Sequence, residues 1–151
     1  MRDTATFAAG CFWGIEAAFR RVKGVSGAAA GYAGGSSEDP TYKSVCAGNT
    51  GHAEAVQVEY DTTQVSYDAL LDVFFSSHDP TSRTRQTADP GYQYRSAIFF
   101  HSPQQKAAAL AFKEKHAARS GKHVVTEITP ASRFYRAEDY HQQYLEKHKR
   151  A

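Results

Sequence analysis

Segments with strand-like periodicity alternate with segments of helix-like periodicity along this chain, and their order limits the possible folds more than any other feature. Strands are expected where small, β-branched or aromatic residues run together or alternate with polar ones, at 3–9, 25–33, 54–60, 94–100 and 123–128. Helices are expected where apolar residues recur at every third or fourth position, at 13–21, 66–77, 103–121 and 138–149. The order β-α-β-β-α-β followed by α-β-α predicts an α/β (α+β) two-layer sandwich with a ferredoxin-like core, a mixed sheet and additional helices.

Two of the predicted helices carry end signals. Ser66 can accept a hydrogen bond from the first turn of the helix that follows it. Ser102 precedes Pro103, which is favoured in a first helical turn, and Gly121 is favoured just beyond a helix end. The polar stretch 78–91 is expected to be a long loop.

The composition fits a soluble protein with one core. With 151 residues and 41% hydrophobic residues, positions 1–151 are expected to form a single domain. Lys and Arg number 18 against 16 Asp and Glu, which gives a net charge of +2 without a long run of like charge. No apolar stretch approaches the roughly 18 residues of a membrane span. A monomer without a nucleic-acid or membrane partner is expected.

The amino-terminal stretch Ala8-Ala9-Gly10-Cys11 has the small residues of a lipoprotein processing site. Only ten residues precede the cysteine, Asp3 is among them, and an apolar segment is missing, so neither lipidation nor a signal peptide is expected. A cytoplasmic location follows as the expectation. In that reducing compartment Cys11 and Cys46 are expected to be free or catalytic and not to form a structural bridge.

Cys11 lies at the predicted junction of the first strand and the first helix, within Gly10-Cys11-Phe12-Trp13-Gly14. A thiol reacts as the thiolate, which the unpaired N–H groups and the positive dipole end of a helix start stabilise. Glycines on both sides allow a tight turn and leave the sulfur accessible. Two interpretations stay open: a nucleophilic cysteine, or a buried one that acts as a small hydrophobic residue.

Phe12, Trp13 and Glu54 are candidates for a site beside that sulfur. Adjacent helical residues point in different directions, so Phe12 and Trp13 do not easily fill one core and can line a pocket for an apolar group. Glu54 shares strand parity with Val56 and Val58; on a buried face its carboxyl would stay protonated and act as an acid. The alternatives are core aromatics and a glutamate exposed at a sheet edge.

The remaining polar residues give weaker signals. The tyrosines 32, 42, 92 and 94 and Asp89 lie in or beside glycine- or proline-containing segments, where hydroxyl groups can reach a cleft. The seven histidines show no metal-ligand spacing, and His141 and His148 are interpreted as solvated residues of one helix face. Neither a metal nor a nucleotide cofactor is expected.

Seven sequence blocks in the same order resemble the peptide methionine sulfoxide reductases of type A. They cover nearly the whole chain: 10–14, 31–35, 40–42, 51–56, 78–80, 93–96 and 137–142. The resemblance implies one catalytic domain over 1–151 that repairs oxidised methionine, acting on the S epimer of methionine sulfoxide, free or in oxidised proteins.

The resemblance also implies a role for each candidate residue. Cys11 would attack the sulfoxide sulfur, leaving methionine and a sulfenic acid. Glu54 would protonate the departing oxygen, with hydrogen bonds from Tyr42 and Tyr94, and Asp89 would belong to the same region. The substrate-binding residues would be Phe12 and Trp13, which would hold the S-methyl group.

Recycling is where the sequence departs from the family, because many members carry resolving cysteines in a carboxy-terminal tail. This sequence has no cysteine after Cys46. Either Cys46 resolves the sulfenic acid, or an external thiol such as thioredoxin, glutathione or a glutaredoxin attacks it directly.

Two other functions are compatible with the same residues. One is a cysteine hydrolase or acyl transferase that uses Cys11 with His52 or His78 as the base. The other is a binding module whose aromatic pocket grips methionine-like side chains around an inert Cys11. A reactive thiol beside a protonated carboxyl, without a histidine base, distinguishes the reductase from both.

Overall fold

The computed structural model of the protein describes residues 2–10, 12–35, 38–46, 50–78, 80 and 94–142. The strands in these ranges are β1 (Arg2–Ala9), β2 (Val25–Ala33), β3 (Ala53–Asp61), β4 (Ser96–Phe100), β5 (Glu127–Pro130) and β6 (Tyr135–Arg136). The α-helices are α1 (Phe12–Arg20), α2 (Tyr42–Cys46), α3 (Tyr67–Ser76) and α4 (Pro103–Ser120). A 3-10 helix covers Asp139–His141.

The strands form one mixed sheet in the order β5-β4-β1-β3-β2-β6. β4 and β5 are parallel, and the other neighbouring pairs are antiparallel. The inner order β4-β1-β3-β2, with α1 and α3 as the crossover helices, is the ferredoxin-like arrangement. The predicted fold class is therefore confirmed.

The main core lies between the sheet and its helices. On β1, Ala5 and Phe7 are buried on the helix side, and the Phe7 ring centroid lies 5.0 Å from that of Phe19 and 5.3 Å from that of Phe74. Burying such a side chain stabilises the fold by about 1.5–3 kcal/mol. These contacts fix α1 and α3 against the sheet, and with them the start of α1 beside β3.

The end signals at Ser66, Ser102 and Gly121 are confirmed. The Ser66 hydroxyl accepts from the backbone N–H of Ala69, and the Ser102 hydroxyl accepts from that of Gln105. Gly121 has a φ of 69°, which is left-handed, and its N–H donates to the carbonyl of Ala117.

Three of the predicted segments differ clearly from the sequence-based expectation. β4 begins at Ser96 and not at 94, and β5 begins at Glu127 and not at 123. The backbone N–H of Val125 donates to Pro80 outside the sheet, which keeps 123–126 irregular. In place of a helix over 138–149, the chain forms one 3-10 turn and is extended at Gln142; residues 143–149 lie outside the described residues.

Helix α2 was not predicted, because one helical turn shows no apolar periodicity. Its signal is a reciprocal pair of side-chain hydrogen bonds at its start. The hydroxyl of Thr41 accepts from the N–H of Ser44 at 3.1 Å, and the hydroxyl of Ser44 accepts from the N–H of Thr41 at 2.8 Å. This pair places Tyr42 and Cys46 one turn apart.

Candidate active site

Strands β1 and β2 end, and β3 begins, at the same end of the sheet. Gly10 follows β1 with a φ of 90°, a left-handed conformation that favours glycine, and turns the chain into α1 at Phe12. On the neighbouring strands Tyr32 pairs with Glu54. The turn therefore brings the start of α1 next to Glu54. Cys11 itself lies outside the described residues.

Glu54 is a buried carboxyl group, with 1% of the residue exposed. Its Oε1 accepts a hydrogen bond of 3.3 Å from the backbone N–H of Phe12, the nitrogen that is bonded to the carbonyl carbon of Cys11. Its Oε2 is buried without a hydrogen-bond partner among the residues that the structure describes. Burial raises the pKa of Glu54 to about 7, and the hydrogen bond from Phe12 opposes the shift.

The predicted buried face of β3 is confirmed. Val56, Val58 and Tyr60 are buried with Glu54, and β3 lies between β1 and β2. The alternative of a solvent-exposed glutamate at a sheet edge is therefore wrong. Glu54 is a group that can hold a proton near neutral pH and release it to a neighbouring atom.

An aromatic cluster, defined as Phe12, Trp13, Tyr32, Tyr42 and His141, surrounds the start of α1. Ring centroids lie 5.8 Å apart for Phe12 and Tyr32, 6.3 Å for Phe12 and Tyr42, and 6.3 Å for Trp13 and Tyr42. Phe12 is buried, whereas Trp13 is half-buried. The two neighbours therefore occupy different environments, as expected, and Trp13 presents an apolar surface at the edge of the cluster.

Tyr42 connects the cluster to Cys46 and Tyr94. Burial raises the pKa of the Tyr42 hydroxyl; so do the Cys46 side chain, which lies within hydrogen-bonding reach, and the neighbouring Tyr94 and Glu54. Cys46 is exposed and in the free thiol form, and Tyr94 is 36% exposed. The structure thus brings Glu54, Tyr42, Tyr94 and Cys46 to one place. Asp89 lies outside the described residues.

Glu138 was not identified from the sequence as a site residue. Its Oε1 accepts from the Tyr32 hydroxyl at 2.8 Å, and its Oε2 accepts from the backbone N–H of Tyr42 at 3.1 Å. Burial opposes ionisation, but hydrogen bonds from two backbone N–H groups and the Tyr32 hydroxyl outweigh it and lower the pKa of Glu138. The site thus contains one glutamate that holds its proton up to about neutral pH, Glu54, and one that is ionised there, Glu138.

Tyr32 lies in the strand that was predicted over 25–33, and not in a loop from which its hydroxyl could reach a cleft. It is a fully buried residue of β2, and burial and the hydrogen bond to Glu138 raise the pKa of its hydroxyl. Its hydroxyl therefore binds Glu138 in the interior and is not exposed to solvent.

The prediction that His141 is a solvated helix residue is wrong, because the side chain is fully buried. It rested on a helix shared with His148, whereas the chain makes one 3-10 turn that carries the ring into the aromatic cluster. There His141 Nδ1 accepts a hydrogen bond of 2.9 Å from Trp13 Nε1. Apart from the family-like block 137–142, the sequence contains no signal for this contact.

Gln142 anchors this segment to β2. Its Oε1 accepts from the N–H of Ala30, and its Nε2 donates to the carbonyls of Ala30 and Ala137, each at 2.9 Å. Because Gln142 is buried, these backbone groups have little access to water. The three hydrogen bonds hold Glu138 and His141 in place.

The variant Gln142→Leu is expected to lower the free energy of unfolding by about 2–4 kcal/mol, because the buried N–H of Ala30 and the carbonyl of Ala137 lose their hydrogen-bond partner. Urea denaturation at constant pH measures the change. Gln104→Leu, an exposed position of α4, is the matched control, with an expected change within about 0.5 kcal/mol. Equal effects of the two substitutions would contradict the anchoring role.

His52 and His78, the two candidate bases of a hydrolase, are held by structural contacts. His52 Nδ1 accepts from the N–H of Gly35 at 3.0 Å. Both ring nitrogens of His78 are engaged, one with the Phe74 carbonyl at 2.8 Å and one with the Ser96 hydroxyl at 2.7 Å. The Glu54 carboxyl lies at the start of α1, where its Oε1 accepts from the backbone N–H of Phe12.

The described part of the chain contains neither a cluster of metal ligands nor a membrane-spanning helix. Within it, no group of three or more His, Cys, Asp or Glu side chains is arranged to hold a metal ion. None of its helices is both long and apolar enough to cross a membrane.

Comparisons with known proteins agree on one family. The family model for peptide methionine sulfoxide reductase matches residues 3–151. The peptide methionine sulfoxide reductase MsrA of Methanosarcina acetivorans is 61% identical over 147 residues, which cover 96% of this chain and 78% of that protein.

Solved structures lead to the same family. Methionine sulfoxide reductase A of Corynebacterium diphtheriae matches with a TM-score of 0.84 and 41% identity, over 97% of this chain and 74% of that one. Mxr1 from Saccharomyces cerevisiae in reduced form matches with a TM-score of 0.88 and 37% identity, over 99% of this chain and 87% of that one. Mxr1 in complex with Trx2 matches with a TM-score of 0.66 and 30% identity, over 95% and 84%. On this evidence the chain belongs to the peptide methionine sulfoxide reductase family, among its type A (MsrA) members.

Proposed function

We propose that this protein reduces methionine S-sulfoxide, free or in oxidised proteins, to methionine with Cys11 as the nucleophile and Glu54 as the general acid. The observation that carries the proposal is the Glu54 carboxyl. It is buried, its pKa is raised to about 7, one oxygen contacts the peptide nitrogen that follows Cys11, and the other has no partner within the described structure. An acid of that pKa can give up a proton at neutral pH.

The first half-reaction transfers the sulfoxide oxygen to Cys11. The thiolate of Cys11 forms a bond to the sulfoxide sulfur while Glu54 delivers a proton to the sulfoxide oxygen, which leaves poorly as an anion. The S–O bond of the substrate and the new S–S bond then break as the hydroxyl group passes to the Cys11 sulfur, which leaves a sulfenic acid on Cys11 and releases methionine. The substrate gains two electrons, and the cysteine sulfur is oxidised by the same two.

The aromatic cluster and the tyrosine hydroxyls fit the needs of that step. The S-methyl group is apolar, and Phe12 and Trp13 provide an apolar wall beside Glu54. Burial and its neighbours raise the pKa of Tyr42, so its hydroxyl keeps its proton and can donate a hydrogen bond to developing charge on the oxygen. Tyr94, which lies beside Tyr42, is the second proposed donor. We assign Asp89 to the same region by resemblance to the family.

The second half-reaction restores the thiol. Cys46 attacks the sulfenic sulfur, which releases the oxygen as water and forms a disulfide that a dithiol such as thioredoxin reduces. Cys46 supports this step because it is exposed and lies one turn from Tyr42. A second support is the related Mxr1, whose structure has been solved in complex with Trx2. Glutathione or a glutaredoxin is the alternative reductant. No other cofactor is part of this scheme.

We further infer that residues 1–151 act as one catalytic domain in the cytoplasm. The family match over 3–151 supports the first part. The proposed cycle, which must return Cys11 and Cys46 to their thiol forms, fits a reducing compartment.

A single-turnover assay tests the proposal. Reduced enzyme is mixed separately with the S and R epimers of an N-acetylated methionine sulfoxide amide, without added reductant, and the methionine formed per enzyme is counted. One methionine per enzyme is expected from the S epimer, because each Cys11 accepts one oxygen. The R epimer is the matched control and should give no product. No product from either epimer, or equal product from both, would refute the assigned reaction.

A further inference from the structure

We propose that His141 is a positioning residue that sets the orientation of the Trp13 indole in the wall of the substrate pocket, by accepting the hydrogen bond from Trp13 Nε1. The inference deepens the proposed function and rests on it in one respect, namely that Trp13 contacts the substrate's methyl group. Nothing in the proposed chemistry requires a histidine, so the burial of this one calls for a separate explanation.

The His141 imidazole accepts a hydrogen bond and also packs against neighbouring aromatic rings. Trp13 Nε1 lies 2.9 Å from His141 Nδ1, and the two ring centroids are 5.6 Å apart with an interplanar angle of 29°. The same imidazole lies 5.1 Å from the Phe12 ring and 4.4 Å from the Tyr42 ring. One side chain therefore touches three aromatic residues around the start of α1, and it bonds to the half-buried one.

The direction of the bond fixes the state of the ring. Because Nδ1 accepts, it carries no proton, and the neutral imidazole has its proton on Nε2. Nε2 is buried, and it finds no hydrogen-bond partner in the ranges that the structure describes. A doubly protonated imidazole has no acceptor left, so protonation of His141 breaks the bond to Trp13.

His141 is held independently of Trp13, which makes it the fixed partner of the pair. Its backbone N–H donates to the Glu138 carbonyl at 2.9 Å, and the next residue, Gln142, is anchored to β2. The Glu138 carboxylate is in turn bound by Tyr32 and Tyr42. The histidine is thus supported from β2 and α2, whereas Trp13 lies in the first turn of α1, only half-buried.

The groups that face the imidazole keep it neutral at physiological pH. Burial lowers the pKa of His141, and the Glu138 carboxylate on the same segment opposes the shift. Tyr140 on that segment and Tyr42 on α2 face it as uncharged phenols, and α1 contributes the rings of Phe12 and Trp13. The bond to Trp13 is therefore present above pH 6.5 and is lost only in more acidic solution.

Two variants of His141 distinguish the effect of its hydrogen-bond acceptor from the effect of its ring packing. In His141→Asn the amide oxygen can take the place of Nδ1 and accept from Trp13, whereas His141→Phe keeps a ring and has no acceptor. We expect His141→Phe to raise KM for the S-sulfoxide about tenfold with little change in kcat, because the pocket binds substrate and transition state alike. His141→Asn should stay within about threefold of the wild type, as expected when the hydrogen bond is kept.

Trp13 is the only tryptophan in the sequence, so its fluorescence reports the contact directly and without substrate. In the wild type, emission should change with a single transition below pH 6.5 as His141 gains its second proton. The transition should be absent from both variants. The titration of the wild type requires no variant, so it remains informative even if His141→Phe does not fold.

Matched controls exclude a general packing effect. His116→Phe alters a histidine that stacks on Phe75 at 5.4 Å, remote from the aromatic cluster, and should leave KM and emission unchanged. In a Trp13→Phe background the effect of His141→Phe on KM should disappear, since the donor is already missing. An unchanged KM in His141→Phe, or an equal effect in both backgrounds, would overturn the proposal. Inactivity of the wild type on both epimers would instead refute the proposed function.

Discussion

Replacing Glu54 by glutamine is expected to slow the single-turnover reduction of methionine S-sulfoxide by about two to three orders of magnitude, the lower part of the range for a lost general acid. The amide is nearly isosteric, can accept from the Phe12 N–H and can donate to the sulfoxide oxygen, so some activity remains. It cannot transfer a proton. Stopped-flow or quenched-flow counting of methionine per enzyme measures the rate without interference from recycling.

The pH dependence of the single-turnover rate tests whether Glu54 is the proton donor. With a Glu54 pKa of about 7, the wild-type rate should fall as pH rises from 6 to 8.5, because the carboxyl loses the proton that it must deliver. In Glu54→Gln this decline should vanish, and only the ionisation of the nucleophile should remain. A decline of the same size in both enzymes would assign the titration to another group.

The same substitution should stabilise the protein at alkaline pH. The pKa of Glu54 is about 7 in the folded state against 4.5 as its ordinary value, so the folded state binds more protons between these values. Stability therefore falls as pH rises through that window, and the loss is complete above pH 7. At about 1.36 kcal/mol per pKa unit, the buried carboxylate lowers the free energy of unfolding by up to about 3 kcal/mol.

Glu54→Gln should accordingly be more stable than the wild type by about 1–3 kcal/mol at pH 8, and the difference should disappear near pH 4. Urea denaturation at the two pH values measures it. Glu59→Gln, an exposed position on the same strand, is the control and should change stability by less than about 0.5 kcal/mol. Such a gain in stability together with a loss of activity would mean that the buried Glu54 carboxyl serves the reaction and destabilises the fold.

The parts of the fold that local sequence determines were predictable. Apolar residues on alternate positions of β3 defined its buried face, and Ser66, Ser102 and Gly121 defined helix ends through contacts within one turn. Each of these signals involves residues that are close in the sequence. The order of the elements then left few possible sheet topologies.

The supporting residues of the site were not predictable in that way. Trp13 and His141 are 128 positions apart in the sequence, and Tyr32 and Glu138 are 106 apart. No periodicity links such pairs, because the contacts depend on how β6 and the following turn pack on β2 in the folded chain. Glu54 was accessible to sequence analysis because strand parity determines its burial, whereas Glu138 and His141 lie where regular structure ends.

Cys46→Ser is expected to leave the first turnover unchanged and to slow thioredoxin-dependent steady-state turnover by on the order of a hundredfold. A thiol tethered beside the pocket acts at an effective concentration of about millimolar, whereas thioredoxin in an assay is present at about ten micromolar. Cys46 has the required position: it is exposed, and it lies within reach of Tyr42, whose ring packs on Phe12.

Thiol counting after one equivalent of sulfoxide distinguishes the two recycling routes. The wild type should lose both of its thiols, since Cys11 and Cys46 form a disulfide, and should not react with a sulfenic-acid trap such as dimedone. Cys46→Ser should lose its single thiol and become trapped. Lys43→Ser, an exposed position of the same helix, should behave as the wild type. If Cys46→Ser turns over with thioredoxin as fast as the wild type, an external thiol attacks Cys11 directly, and Cys46 contributes only its contact with Tyr42.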